Sequence, residues 1–80
     1  MAWIRLRWEK DSRYYEVWLR QDLWDEWLLT QAWGRQGTRL GRIRELPLTC
    51  YQDGIEQLER IKKRRKQRGY TLNSTSILTH

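Results

Sequence analysis

The run Trp27-Leu28-Leu29-Thr30-Gln31-Ala32-Trp33-Gly34-Arg35-Gln36-Gly37 alternates large apolar residues with smaller or polar ones, the period-2 signature of a strand. One parity carries Trp27, Leu29, Gln31 and Trp33, the other Leu28, Thr30 and Ala32. Both are apolar enough to be the core face, and the pattern alone does not choose between them. The end of the run carries the chemistry. In an extended segment Trp33 and Arg35 point to the same side. Gly34 puts no side chain between a ligand and the backbone, and Gly37 permits the positive φ of a turn. A flat indole beside a flat, charged fork of donors suits a nucleotide, with a ring or sugar against Trp33 and a phosphate or base edge on Arg35.

Around this run the chain reads as strands and then a helix. Residues 3–9 alternate, with Ile4, Leu6 and Trp8 opposing Trp3, Arg5 and Arg7, and a turn at 10–12 follows. Residues 13–21 alternate again, with Tyr15, Val17 and Leu19 opposing Tyr14, Glu16, Trp18 and Arg20. The third strand is expected over 23–33, broken or bulged at 34–37, and a fourth over 38–46. That fourth strand places Arg42 and Arg44 with Leu40 and Leu46, and Arg39 with Ile43 and Glu45. It is too polar to be central, which predicts a sheet with one wet, basic side. Pro47 ends the sheet region. Thr49 with Gln52 has the spacing of a capping box. Tyr51, Ile55, Leu58 and Ile61 then follow helical spacing and would lie across the sheet. Gly54 inside the helix costs about 1 kcal/mol relative to Ala, so a close helix–sheet approach is its expected use. Acids lead the helix and bases end it, as the helix dipole favours, and Gly69 is a natural C-cap. Tyr70 and Leu72 would return as a short strand. The expected domain is 1–72, with 73–80 a polar, mobile tail.

Eighty residues make a single small domain. Six Trp and four Tyr, with no Phe, supply the aromatic mass. With Cys50 the one cysteine and His80 the one histidine, no internal disulfide, cysteine-based zinc site, other metal site or cofactor is expected. A reducing, cytoplasmic setting fits. The first seven residues alternate charge with apolar groups and read as neither a signal peptide nor a membrane span. The net charge is +6, unevenly spread. Between Trp33 and Arg44 there are four arginines and no acid. Arg60 to Arg68 holds seven bases and no acid, whereas Glu9 to Glu26 holds six acids against three bases. Such lopsidedness is the electrostatic footprint of a nucleic-acid binder.

The order of these elements, with Trp33-Gly34-Arg35 closing a strand and an amphipathic helix following it to Gly69-Tyr70, resembles the WGR domain. That module is named for this tripeptide and is best known in DNA-damage-activated poly(ADP-ribose) polymerases and in small bacterial proteins. The resemblance covers roughly residues 3–72. It implies an α+β fold, an antiparallel sheet of four to five strands with one helix packed on one face. It also implies that Trp33 packs against the sugar at a DNA 5′ end and that Arg35 contacts the neighbouring nucleotide. The relay of that signal to other domains is not expected to carry over, since these eighty residues hold no regulatory helices and no catalytic domain to receive it.

The expected binding residues are Trp33, Gly34 and Arg35, with Arg39, Arg42 and Arg44 after the motif and Lys62, Lys63, Arg65 and Lys66 on the helix as phosphate contacts. Trp3, Trp18 and Trp24 are further candidate stacking platforms. The chain has no Gly-rich phosphate loop, no Ser/His/Asp set and no Cys/His pair, so a non-enzymatic protein with no catalytic residues is expected. The partner expected first is DNA, engaged at its backbone and strand ends. The alternatives are RNA or single-strand binding and a protein-interaction module whose aromatics and arginines meet a protein partner or a larger assembly. The oligomeric state is left open.

Overall fold

The computed structural model describes residues 1–38 and 41–79. Five strands and one helix follow in order: β1 (Ala2–Lys10), β2 (Arg13–Gln21), β3 (Trp27–Arg35), β4 (Gly41–Pro47), α1 (Tyr51–Gln67) and β5 (Thr71–Thr79). The sheet order is β4-β3-β2-β1-β5, every neighbour antiparallel. The first four strands are a meander. At 1.5 Å per residue the helix is about 25 Å long, enough to carry the chain back over the sheet so that β5 pairs on the far side of β1.

The pairing register decides which parity of β3 faces the helix. Leu29 lies opposite Leu19 and Leu46, and Leu19 opposite Ile4. The next row is Leu6, Val17, Gln31 and Arg44; the one beyond is Trp8, Tyr15, Trp33 and Arg42. Leu6, Trp8, Val17, Leu19 and Leu29 are buried there together with Leu48 and Leu58. Trp27, Leu29, Gln31 and Trp33 therefore form the helix face, a choice that alternation had left open. Burial of these large side chains is worth about 1.5–3 kcal/mol each.

Gly54 lets α1 come down onto this face. A Cβ there would stand 2.5 Å from Leu19 Cδ1, closer than real Cβ contacts come, and 3.0 Å from Leu48 Cδ1. The helix also ends as its glycine foretold. Gly69 has φ +82°, its N–H donates to the Lys66 carbonyl at 3.1 Å, and the Tyr70 N–H to that of Arg65 at 2.9 Å. That pair of bonds is a Schellman motif.

Four expectations change. The third strand starts at Trp27, because residues 22–26 close a tight turn: the Asp22 N–H donates to the Glu26 carbonyl at 2.9 Å. The strand then runs through Gly34 to Arg35 without a break, in regular register with Tyr14 and Gly41. The capping box does not form. The helix is capped at Cys50 without a side-chain hydrogen bond; Thr49 instead donates both its N–H and its hydroxyl to Asp53 Oδ2, each at 3.3 Å. Finally, residues 73–79 are part of β5 rather than a tail. A mostly polar run suits an edge strand, and a bulge opposite Arg7/Trp8 sets the register.

The Gly54 contact gives a stability test. Gly54→Val forces branched carbons into the Leu19 and Leu48 methyls and is expected to cost about 3 kcal/mol through overpacking, seen as a lower urea midpoint. An unchanged midpoint would mean that the helix does not sit this close to the sheet.

Candidate nucleic-acid interface

The motif lies where β3 leaves the sheet. Gln36, the next residue, ties that end to the β1–β2 turn: its N–H donates to the Ser12 carbonyl at 2.7 Å. Its side-chain amide approaches the carbonyls of Asp11 and Arg13 at 3.5 Å. Gly37 takes the expected positive φ, +75°, and the Thr38 hydroxyl donates to the Arg35 carbonyl at 3.0 Å. The backbone around Trp33 and Arg35 is therefore braced from both sides before any ligand arrives.

The indole is braced as well. Tyr15 stacks on Trp33 with ring centroids 6.2 Å apart and planes 18° from parallel, and Trp8 meets Tyr15 edge-on at 6.0 Å. Arg65 completes this row from the helix. Its guanidinium carbon stands 4.3 Å from the Tyr15 ring centroid and 5.1 Å from that of Tyr70. Its Nε is buried with no hydrogen-bond partner, so the π faces of the two tyrosines supply the electrostatic compensation. Burial pushes the Tyr15 phenol above its ordinary pKa, against the opposing pull of Arg65, Arg64 and Arg44.

On the other face of the sheet, Tyr14 lies across Gly34. A Cβ on Gly41, two strands away, would stand 2.9 Å from the Tyr14 hydroxyl oxygen. Gly41 thus makes room for an aromatic ring that reaches from β2 across β3 to β4, passing Gly34, its cross-strand partner.

Between these two layers a groove of about 570 Å³ opens at the sheet end, lined by Arg13, Tyr14, Trp33, Gly34, Arg35, Thr38, Gly41, Arg42 and Tyr70. Arg13 and Arg35 are directly cross-strand, and Arg42 is opposite Trp33. Like charges set opposite each other are unfavourable, yet none of Arg13, Arg35, Arg42 and Arg44 forms an ion pair with any described residue. Past Tyr70 the basic surface continues into a second cleft that adds Lys10, Arg65 and Arg68. There Lys10 Nζ donates to the Arg68 carbonyl at 2.6 Å.

The helix-free face is arranged differently. Arg5 and Arg7 both pair with Glu16, at 3.0 and 3.1 Å, Arg7 also pairs with Glu9 at 3.0 Å, and Arg20 pairs with Glu45 at 3.4 Å. Arg5 and Arg20 flank Trp18, at 5.7 and 5.3 Å from its ring, and Trp3 Nε1 donates to Gln21 at 3.4 Å. The wet side of the sheet is thus charge-paired. The uncompensated basic surface lies at the motif end and on the helix side, which corrects the expectation of a basic sheet face.

Of the residues singled out from sequence, Trp33, Gly34, Arg35 and Arg42 come together in the groove, and Arg44 lies one row inward beside Gln31. Arg39 falls outside the described residues. The helix bases separate. Arg65 is half-buried against the tyrosines. Lys62, Lys63 and Lys66 are exposed and do not line the groove, and Lys62 pairs with Glu59 at 3.2 Å. At 3.6 residues per turn Lys63 points about 160° away from Arg65. Arg65 continues the stripe of Tyr51, Ile55, Leu58 and Ile61, a signal the sequence carried four residues beyond Ile61. Arg13, Tyr14 and Tyr70 join the groove without a local sequence signal. Only the register that sets Arg13 against Arg35 brings the first hairpin to the motif.

Two adjacent-looking bases should therefore behave differently. Arg65→Ala is expected to lose about 2 kcal/mol of unfolding free energy through lost packing and cation–π contact. Lys63→Ala should stay within about 0.5 kcal/mol of the parent. Equal effects in chemical denaturation would show that Arg65 is an ordinary surface base.

No curated protein and no solved structure matches the chain. Among the described residues no helix is long and apolar enough to cross a membrane. The family model for the WGR domain matches residues 3–76, from the first strand through most of the last and across the braced motif. The chain belongs to the WGR domain family, whose modules engage nucleic acids or proteins.

Proposed function

We propose that this protein is a non-catalytic nucleic-acid-binding module, with DNA its first ligand, that holds a strand end in the Trp33 groove and the adjoining backbone on the surrounding guanidiniums. One observation carries the reading: Arg13, Arg35 and Arg42 gather around a pre-stacked indole, with Arg44 one row inward, and none of the four is ion-paired with an acid among the described residues. A surface that keeps its cations unpaired while the opposite face pairs Arg5, Arg7 and Arg20 is suited to a polyanion. Phosphates would supply the missing charge and release counterions as they bind.

The roles divide by geometry. Trp33 has Tyr15 on one side and offers its remaining surface to a terminal sugar or base. Arg35 and its cross-strand neighbour Arg13 flank the mouth and bridge successive phosphates with bidentate hydrogen bonds. Arg42 reaches the same space from the next strand. The contacts to phosphate and sugar fix position and leave base sequence unread, and nothing in this set provides a nucleophile or a general base. The braced backbone supports end binding, because a ligand meets residues already held in place and less freedom is lost on association.

The test is fluorescence anisotropy with a short labelled duplex, competed by linear DNA, covalently closed DNA and RNA. Four phosphate contacts predict a log–log salt slope of about −3.6. Linear DNA is expected to compete better than closed DNA. Trp33→Ala is expected to weaken end binding about 10- to 100-fold, in line with the loss of one stacking contact, while the protein stays folded by circular dichroism. A flat salt dependence, or equal competition by closed DNA, would contradict the electrostatic and the end-reading parts in turn. Preference for RNA would replace the ligand class.

A further inference from the structure

At the far end of β2 and β3 from the motif, the turn 22–26 carries Leu23 and Trp24, 93% and 78% exposed. The turn is rigidly made. Asp22 Oδ1 accepts from the N–H groups of Trp24 and Glu26 at 2.8 and 3.0 Å, and Gln21 Nε2 donates to the Asp25 carbonyl at 3.2 Å. Asp25 holds a positive φ of +62°. Two large apolar side chains are therefore displayed on a cross-braced tip, with Asp22, Asp25 and Glu26 beside them. Water gains nothing from that arrangement; a protein surface would, since the tip is already ordered and little freedom is lost on docking.

The complement of this tip is on the same molecule. The groove offers the aromatic rings of Tyr14, Trp33 and Tyr70 rimmed by Arg13, Arg35 and Arg42, and acids on the tip match arginines on the rim. The two sites cannot meet within one copy. They stand at opposite ends of a nine-residue strand, about 26 Å apart at the rise of a strand. We infer that a second copy of this chain is the tip's partner: Trp24 and Leu23 of one copy seat among the groove aromatics of the next, with Asp25 and Glu26 against its arginines. The contact is head-to-tail, so it propagates into short chains or closes into rings. It is built from Trp and Arg, the residue types that dominate binding hot spots, and its charge matching makes it sensitive to salt. It rests on the groove but not on the ligand proposed above, and it makes nucleic acid and self-association mutually exclusive at that groove.

Analytical ultracentrifugation of the full chain across a concentration series tests this, with two variants. Leu23→Ser/Trp24→Ser removes the tip at exposed positions, and Arg35→Glu reverses charge on the groove rim. The parent is expected to associate with rising concentration and to dissociate with salt or on addition of a short duplex. Each variant alone should sediment as a monomer. Mixed in equal amounts they should give a one-to-one dimer, because one intact tip and one intact groove remain. A monomeric parent up to millimolar concentration, association that survives the tip variant, or no dimer in the mixture would each overturn the inference. The outcomes separate from those of nucleic-acid binding: the tip variant, whose groove is intact and uncontested, should bind duplex at least as tightly as the parent, and a parent that associates without binding any nucleic acid would leave the groove a protein site alone.

Discussion

The contact of Arg65 with Tyr15 ties the helix to the motif. One guanidinium lies against Tyr15 and Tyr70, Tyr15 stacks on Trp33, and Trp8 supports Tyr15 from the next strand. Through that row the helix, three strands and the segment after the helix converge on a single indole. The alternative, a Trp33 free to rotate at a strand end, would have to lose that freedom whenever a ligand bound. A ring already fixed by packing loses little. The row also explains how a buried arginine Nε without a hydrogen bond is tolerated here, since the cation is shared between two π faces.

The same economy governs the charges. On the helix-free face nearly every arginine has a glutamate, and such solvent-accessible pairs contribute little to stability, about 0–1 kcal/mol each; their effect is to make that face nearly neutral. At the motif end the guanidiniums are left to repel one another. The contrast gives the molecule one strongly attractive surface for anions and one that is not, so that a polyanion is steered to the groove rather than spread over the sheet. The acidic tip at the opposite end extends this polarity along the strands.

Much of this was legible in the sequence, and the parts that were not have a common cause. The alternation in residues 3–9 and 13–21 gave the right faces because each has one clearly apolar parity. The helix stripe and Gly54 were readable because 3.6-residue spacing and a costly mid-helix glycine are local signals. Which face of residues 27–33 is core was not readable, since Leu28 and Ala32 look as apolar as Leu29; the cross-strand register with Leu19 and Leu46 settled it. The same non-local information was needed to place Arg13 at the motif and Tyr14 over Gly34. The polar run 73–79 looked like a tail because an edge strand needs only backbone partners, and those lie in β1, some seventy residues earlier. The basic run 62–68 reads as one patch in sequence, whereas helical geometry divides it into a packing residue, Arg65, and solvent-facing lysines.

Everything proposed for the groove requires that Trp33, among six indoles, is the one that meets the ligand. The direct measurement is a ¹H–¹⁵N NMR titration that follows the six indole Nε1–H signals, with Trp33 assigned through Trp33→Phe, as a short duplex is added. The Trp33 indole and the backbone amides of residues 33–36 are expected to shift together and saturate, while the indoles of Trp3, Trp18 and Trp27 stay in place. Shifts confined to the charge-paired sheet face around Trp3 and Trp18, with Trp33 unmoved, would place the ligand elsewhere and overturn the groove as its site.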